Sequence, residues 1–267
     1  MSTLKDMFFE HGKLDDCPVY DMHGHMGPFY GSHLPWGDPN RAVEAMDRAN
    51  VRMLVFCHHA ALFSPEIGNA ANVEAVRSHP DRFRAYLGIN PNYPDIVERD
   101  LATFDDYADV YVGFKLLADY HQVAITDPRS AKAWQIANER GLLVLLHTGF
   151  GSTYNGQDLV RTVAERYPNA KILMGHSIHS GWDAAVKLAN DFPNVYFELC
   201  AVPDERGIVE KFVAESGSEK ILYGTDFPWF DFHYYIGAIL GADITDADRR
   251  NIFYRNAMRL LGLPAIG

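Results

Sequence analysis

Eight short apolar runs recur along the 267-residue chain, and a loop and an amphipathic stretch follow each of them. Several runs are almost entirely apolar, as strands buried on both faces of a parallel sheet are. The runs occupy residues 18–23, 52–57, 83–89, 110–116, 142–147, 171–175, 194–199 and 220–224. Strands that alternate with helices predict a parallel sheet, and eight is the number that closes a barrel with a filled interior.

The stretches between the runs carry helical patterns, most clearly at residues 40–49, 130–140 and 157–166. Gly141 and Pro168 follow two of them, as residues that end helices do. A last helix at 246–261, with Thr245 as N-cap, closes the chain. We predict a single α/β domain over residues 1–267, a (β/α)₈ TIM barrel with a C-terminal closing helix. The alternative is an open doubly wound sheet, but no GxGxxG follows the first run, so its dinucleotide-binding form lacks support.

Charge and cysteine content limit the partners of the chain. The 24 basic and 35 acidic residues give a formal net charge of −11, which argues against nucleic acid or an anionic membrane as the main partner. The three cysteines are widely spaced and form no CxxC, so we expect no disulfide framework. We find no secretory h-region and no apolar run of about 18 residues. We expect a cytoplasmic protein with a small-molecule substrate, and a homodimer is an open alternative to a monomer.

The first run ends in the sequence DMHGH at residues 21–25. Alternate side chains of a strand share a face, so His23 and His25 point the same way, which is inward in a barrel. Gly24 between them adds no competing side chain. Two imidazoles so placed can reach one metal ion, although an HxH pair alone is weak evidence because chance produces many.

Four further polar residues fall at or near the carboxyl ends of later runs, where barrel enzymes keep their sites. They are Lys115, His147, His176 and Asp226. Imidazoles and a carboxylate suit zinc or another first-row divalent metal. Because these residues are spread across the barrel mouth, the sequence predicts a catalytic ion with a coordination position left for water.

At these residues the chain resembles the amidohydrolase superfamily, and more closely amidohydrolase family 2, the branch that contains aminocarboxymuconate-semialdehyde decarboxylase. The matching pieces are DMHGH, GFKL, LLHTG, GHS, YGTDFP and the closing segment NIFYRNAMRLLGL. The resemblance covers nearly the whole chain and implies an amidohydrolase-like barrel. It also implies one divalent metal ion per chain, for which we expect Zn²⁺, with Mn²⁺ as the alternative.

The resemblance also implies a role for each matching residue. The metal ligands would be His23, His25, His147 and Asp226. Asp226 would in addition take a proton from the metal-bound water. His176 would be the acid/base or oxyanion-stabilising histidine, and His179, in the segment GHSIHSGW, is a second candidate for that role.

Lys115 lies in an apolar strand, and a buried lysine needs a partner. We interpret it as an anchor for a substrate carboxylate, with a structural partnership to a buried acid as the alternative. In two-metal members of the superfamily a carboxylated lysine at this strand bridges the ions. Because the family-2 branch mostly uses one metal, we expect the one-metal form here.

The loops that follow the runs supply candidates for substrate contact. His58 and His59 come directly after the second run and one of the pair can touch the substrate; His58 is the candidate that we name. Tyr30 lies in the long loop after the first run, and Trp229 follows Asp226; each can cover the site or pack its loop onto the barrel rim. Glu198, in the seventh run, is either a hydrogen-bond partner of a metal ligand or an ordinary polar residue at a strand end.

These residues favour a metal-dependent hydrolase that acts on an amide, lactone or related bond of a small carboxylate-bearing substrate through metal-activated water. A decarboxylase on the same scaffold is the alternative, because the same groups can protonate a conjugated system. A barrel without catalysis, serving as a binding subunit, is a third hypothesis. The intact set of histidines and Asp226 argues against that third hypothesis.

Overall fold

The computed structural model describes residues 3–264 and contains eight strands, β1 to β8, which pair in chain order. Every neighbouring pair is parallel. In chain order the strands are Val19–Met26, Val51–His58, Phe83–Ile89, Tyr111–Leu116, Leu143–Gly149, Lys171–His179, Val195–Glu198 and Ile221–Leu222. With helices between the strands, this confirms the predicted (β/α)₈ TIM barrel.

The segment that follows β8 completes the barrel against β1. Strand β8 has only two residues, Ile221 and Leu222. The Met22 N–H donates to Tyr223 O at 3.0 Å, and the Asp226 N–H donates to His23 O at 2.7 Å. Residues 223–227 therefore join the last strand to the first, and they carry Asp226 to the side of His23.

Helices connect the strands and surround the sheet. The α-helices are Thr3–His11, Pro39–Ala49, His59–Phe63, Pro65–Ser78, Pro94–Ala102, Ala118–His121, Ala131–Arg140, Gln157–Arg166, Trp182–Asp191, Ile208–Ser216, Phe232–Gly241, Asp246–Arg250 and Asn256–Leu261. Short 3₁₀ turns lie at Phe104–Tyr107, Pro128–Ser130 and Ser218–Lys220. None of the helices within residues 3–264 is both long and apolar enough to cross a membrane.

The helix Pro39–Ala49 shows how the sequence specifies these elements. The Asp38 side chain accepts hydrogen bonds from two amides of the first turn, and Pro39 occupies the first helical position. The helix ends at Asn50, whose φ of 55° is left-handed. Its buried residues recur at helical spacing and face the barrel: Ala42, Ala45, Met46 and Ala49.

The closing helix was predicted as one element over 246–261, and it begins at the expected cap. The Thr245 hydroxyl accepts from the Asp248 N–H, and the Asp248 carboxylate accepts from the Thr245 N–H, which forms a capping box. A π-helical turn at Asn251–Arg255 interrupts the α-helical hydrogen bonding. The side chain of Asn256 then donates to two carbonyl groups, those of Ser218 and Ile221, and ties the helix to the start of β8.

Two strands differ most from their predicted limits. Strand β1 continues to Met26, which places His23 and His25 within one strand. Strand β6 continues to His179 instead of ending at residue 175. Its last part has left-handed backbone, with φ of 64° at His176, 47° at Ser177 and 55° at Ile178. Side-chain alternation does not detect such a segment, because it no longer has strand geometry.

Candidate active site

His23 and His25 lie on β1 and both imidazoles reach the interior cavity at the mouth of the barrel. Their ring centroids are 5.6 Å apart, and His23 is only 1% exposed. Gly24 between them packs against β2, since a Cβ there would lie 2.5 Å from a methyl carbon of Leu54. The glycine thus lets the two strands approach while both histidines face inward.

Hydrogen-bond partners fix the tautomer of each imidazole. His25 Nδ1 lies 2.8 Å from Cys57 O, and a carbonyl only accepts, so this nitrogen carries the proton. The ammonium of Lys115 lies 2.9 Å from His23 Nε2 and only donates, so His23 carries its proton on Nδ1, where Glu198 accepts it at 2.7 Å. Both Nε2 atoms therefore present lone pairs to the cavity.

Asp226 brings a carboxylate oxygen to the same place. Its Oδ1 lies 3.0 Å from His25 Nε2 and 3.3 Å from His23 Nε2, and this buried oxygen has no well-directed hydrogen bond within the described residues. The ligand atoms of these three residues all fall within 4.8 Å of one another. The Lys115 ammonium donates to His23 Nε2, but within the described residues no donor serves His25 Nε2 and Asp226 Oδ1, and these two acceptors repel each other unless a cation lies beside them.

The protonation state of His23 supports the interpretation that His23, His25 and Asp226 can hold a cation. Burial, with the nearby Lys115 ammonium, holds the pKa of His23 well below its usual range. The imidazole is therefore neutral near neutral pH and does not pair with Asp226 as a cation. Neutral imidazoles and a carboxylate are ligands for a divalent metal, and the group fits one.

The backbone around Asp226 is held by a buried carboxylate on β1. The Asp226 φ is 60°, a conformation that a non-glycine residue rarely adopts. The preceding residue, Thr225, donates its hydroxyl to Asp21 Oδ2 at 2.5 Å, and Asp21 Oδ1 accepts from the His23 N–H at 2.9 Å. Asp21 therefore links the segment after β8 to the strand that carries both imidazoles.

His147, at the end of β5, lines the cavity but does not join the three converging residues. Its Nδ1 lies 3.1 Å from His176 Nε2, and its Nε2 lies 4.0 Å from Asp119 Oδ2. Burial lowers the pKa of His147 to about 4. Its predicted role as a further metal ligand stays a prediction, because its ligand atoms face His176 and Asp119.

His176 and His179, the two candidates for the acid/base role, occupy different environments. The His176 ring is buried, with centroids 4.6 Å from His147 and 5.1 Å from His23. Its Nδ1 has no hydrogen-bond partner among the residues described. His179 is exposed and contacts Ser180 and Trp182. Only His176 therefore adjoins the site, where it lies behind His147 and does not line the cavity itself.

Glu198 accepts hydrogen bonds from both sides of the site. Besides His23 Nδ1, its Oε2 accepts from the His176 N–H at 3.1 Å, and its Oε1 accepts from the Cys200 N–H at 2.8 Å. Burial raises the pKa of Glu198 to about 7, against the effect of these donors. Of the two interpretations of Glu198 from the sequence, the structure favours the hydrogen-bond partner of a candidate metal ligand.

The cavity above these residues has a volume of about 210 Å³ and a largely aromatic wall. Lys115 contributes its ammonium to the floor, and Trp229 lies at the rim. The lining is His23, His25, Phe29, His59, Leu62, Lys115, Leu117, Tyr120, His147, Asp226, Trp229 and Phe230. One end of the cavity therefore carries charged groups and imidazoles, and the other end carries aromatic rings.

Two predicted substrate contacts lie outside this cavity. His58 caps the helix His59–Phe63 through its Nδ1, which accepts the Ala60 N–H, and its ring packs against Gly27. Tyr30 is 75% exposed and stacks on Phe29. Neither side chain lines the cavity, and their predicted roles in substrate binding stay predictions. Consecutive side chains point in different directions. The histidine that reaches the cavity is therefore the next residue, His59.

Sequence reasoning missed several residues of the wall. Tyr120 lies in the short helix Ala118–His121 after β4, Phe230 follows Trp229, and Leu62 and Leu117 complete the apolar side. The positions of Leu117, Tyr120 and Phe230, shortly after strand ends, were the available signal. Their orientation depends on loop conformations that no periodicity encodes.

Taken together, the fold and these residues define a (β/α)₈ barrel with a candidate metal group at the carboxyl ends of its strands. The family model for amidohydrolases, family 2, matches residues 20–263. The chain therefore belongs to that family, as the sequence motifs indicate. No curated protein matches the chain significantly in sequence.

Solved structures share the fold at low sequence identity. An uncharacterized TIM-barrel protein from Bordetella bronchiseptica has a TM-score of 0.77 at 16% identity, over 92% of this chain and 98% of that one. The 5-carboxyvanillate decarboxylase from Sphingomonas paucimobilis has a TM-score of 0.71 at 13% identity, over 93% and 100%. A dihydroxybenzoic acid decarboxylase from Polaromonas sp. JS666, with bound manganese and the inhibitor 2-nitroresorcinol, has a TM-score of 0.72 at 17% identity, over 94% and 98%.

Proposed function

We propose that this protein is a metal-dependent decarboxylase that removes CO₂ from a small, flat, conjugated carboxylic acid. One observation carries the proposal. Asp226 Oδ1, buried and without a well-directed hydrogen bond in the described chain, faces the Nε2 atoms of His23 and His25 at the floor of an aromatic-lined cavity. We infer that one divalent ion, Mn²⁺ or Zn²⁺, is held there.

The donor set supports that assignment. His23, His25 and Asp226 supply two neutral imidazole nitrogens and a carboxylate oxygen, and His147 is the candidate for a fourth ligand. When bound, the ion supplies concentrated positive charge and Lewis acidity beside the substrate. Manganese in the structurally similar decarboxylase from Polaromonas makes Mn²⁺ as good a candidate as Zn²⁺.

The two ends of the cavity indicate the substrate class. Lys115 and the imidazoles form a floor that attracts a carboxylate. Phe29, Tyr120 and Trp229 form walls that suit a flat ring or a planar conjugated chain. A volume of about 210 Å³ limits the substrate to a small molecule.

In decarboxylation the bond between the carboxyl carbon and its neighbour breaks, CO₂ leaves, and the electron pair stays on the neighbouring carbon. A conjugated system accepts that pair, and a proton then occupies the position that the carboxylate left. Asp226 lies at the cavity floor, where its carboxylate can take this proton from water and pass it to the carbon that the carboxyl group left. Lys115 holds the acid in place, and the aromatic walls exclude water from the reacting carbon.

Hydrolysis of an amide or lactone would use many of the same groups, with Asp226 taking a proton from the attacking water. We favour decarboxylation because the wall is aromatic and because the structural relatives with a stated activity reported above are decarboxylases. A barrel that only binds its ligand would have no need of converging, mutually repelling acceptors.

The first experiment measures metal content by elemental mass spectrometry in protein purified without chelator or nickel. We expect about one divalent ion per chain in the wild type and a large loss in His23→Ala. The protein is then incubated with a panel of hydroxybenzoic and unsaturated acids, and CO₂ release is followed. His33→Ala, in the loop after β1, is a matched control because His33 is exposed and does not line the cavity.

The alternatives give different results. A panel of lactones and amides in ¹⁸O-labelled water detects hydrolysis as label in the product, which would refute decarboxylation. Metal-free protein that is fully active on an acid would refute the metal site. Binding of acids without turnover of any substrate would support the non-catalytic barrel.

A further inference from the structure

We propose that His59 is the positioning residue that fixes an aromatic roof over the cavity and so selects flat acids; this inference rests on the proposed function. The aromatic roof consists of five side chains from four segments that follow strands β1, β2, β4 and β8: Phe29, Tyr30, Phe63, Tyr120 and Trp229. His59 lies beneath them, at the start of the helix His59–Phe63.

Ring contacts join the members of the roof to one another. The Phe29 centroid lies 5.0 Å from Trp229, 5.6 Å from Phe63 and 4.9 Å from Tyr30. Phe63 also contacts Tyr120 at 5.9 Å. Such contacts have a weak preference for orientation, so by themselves they leave the rings free to shift together.

One directed bond ties this roof to the barrel. Trp229 Nε1 donates to His59 Nε2 at 3.0 Å, and no other side-chain hydrogen bond leaves the aromatic roof within residues 3–264. On its other side, His59 Nδ1 lies 2.9 Å from Gly27 O. His59 therefore connects the loop after β8 with the loop after β1.

The partners of His59 fix its chemical form. The indole nitrogen of Trp229 only donates, so His59 Nε2 must accept, and His59 Nδ1 must carry the proton that Gly27 O accepts. Only the neutral imidazole in this one tautomer satisfies both bonds. His59 is 1% exposed, so neither bond competes with water.

His59 also contacts the candidate metal group. Its ring stacks on that of His25, with centroids 4.7 Å apart and an interplanar angle of 13°, and Phe29 approaches it edge-on at 5.2 Å. The distance between the aromatic roof and His25 is thus set by the thickness of the His59 ring and by the length of its hydrogen bond to Trp229. A cavity of fixed height admits a flat acid and rejects a thicker one.

Two variants remove the bond in different ways. His59→Phe keeps the ring on His25 and loses both hydrogen bonds. Trp229→Phe keeps an aromatic ring at a residue that is 37% exposed and loses only the N–H, so it tests the inference even where His59→Phe folds poorly. His58→Asn is the control, because asparagine retains the helix cap and His58 does not contact Trp229.

The first measurement is hydrogen exchange of the Trp229 indole N–H in metal-loaded, ¹⁵N-tryptophan-labelled protein, with the signal identified by its loss in Trp229→Phe. We expect exchange at least about tenfold faster in His59→Phe, since its acceptor is gone, and a wild-type rate in His58→Asn. An unchanged rate in His59→Phe would overturn the inference.

The second measurement compares the binding of benzoate with that of the bulkier, non-planar 2-phenylbenzoate by calorimetry. We expect the preference of the wild type for benzoate to fall about tenfold in each single variant, with no further fall in the double variant, because both changes remove the same bond. Additive losses would contradict a shared bond. Wild-type protein that binds neither acid would refute the substrate class of the proposed function and the selectivity, whereas the exchange rates still decide whether His59 holds the roof.

Discussion

Glu198 Oε2 lies 2.7 Å from His23 Nδ1, and this contact joins the end of β7 to the first candidate metal ligand on β1. The same oxygen accepts the backbone N–H of His176, so one carboxylate aligns two histidines from different strands. Space for it comes from Gly224, where a Cβ would lie 1.9 Å from Glu198 Oε1. A carboxylate in this position holds the imidazole in the tautomer that presents Nε2 to a metal.

Replacing Glu198 with glutamine tests that relationship. All three neighbours of the carboxylate are N–H donors, so the amide NH₂ of Glu198→Gln must face one of them. We expect metal affinity to fall by about 10- to 100-fold, measured by competition with a chromogenic chelator. Glu205→Gln is the matched control, since that carboxylate is exposed and, within the described part of the chain, its side chain accepts only from Trp182. Equal affinities in the two variants would contradict a role for Glu198 in holding the ligand.

Gly224→Ala should destabilise the fold and disturb the site together. The added methyl would also lie 2.9 Å from the Cβ of His23, so one of the neighbours must move. We expect a loss of about 1–3 kcal/mol in the free energy of unfolding by urea, with reduced metal content. Gly241→Ala, with open space around its Cβ, should keep or raise stability. Similar stability in both alanine variants would show that the space at Gly224 tolerates a side chain.

The structure separates the two histidines that the sequence left as alternatives. Asparagine tolerates left-handed backbone, so His176→Asn keeps the φ of 64° and removes the imidazole. We expect kcat on the substrate found by the screen to fall by about 100-fold, because His176 contacts His147 and His23 and its loss displaces groups that line the cavity. His179→Asn should leave kcat near the wild-type value, because His179 is exposed and outside the site. The reverse pattern would show that His179, and not His176, supports the reaction.

The stability of metal-free protein should fall as the pH is lowered below about 6.5, the unperturbed pKa of histidine. Burial lowers the pKa of His58 to about 4 and also lowers that of His121. Between about pH 4 and 6.5 the unfolded chain binds a proton at His58 that the folded chain does not, so stability is present above 6.5 and is lost toward pH 4. His58→Asn should reduce the slope of unfolding free energy against pH by up to about 1.4 kcal/mol per pH unit, measured by urea titration at pH 4.5–7. A slope that is unchanged in this variant would contradict the assignment of this pH dependence to His58.

Much of the fold followed from local patterns. All eight predicted runs contain or overlap a strand, and the helix at 157–166 has the predicted limits, because burial on both faces and helical spacing leave direct traces in sequence. The grouping of His23 and His25 with Asp226 followed from one topological fact, that carboxyl ends of parallel barrel strands meet at one rim. The family was identified from the same short motifs.

The errors and open choices have a common cause. Whether His58 or His59 faces the cavity depends on where β2 gives way to a helix, and that boundary shifts every later side chain by a large angle. The extension of β6 through left-handed residues moved His176 and His179 apart in a way that alternation could not predict.

By itself, the sequence determined the number and order of the strands, the inward face of β1 and the family, because these depend on periodicities and motifs within a few residues of one another. Only the tertiary structure decided that Glu198 bonds to His23, that residues 223–227 complete the barrel, and that His59 meets Trp229. Each of those contacts joins residues at least 170 positions apart or depends on barrel closure. Its geometry follows from the packing of the whole barrel, and no local sequence pattern encodes that packing.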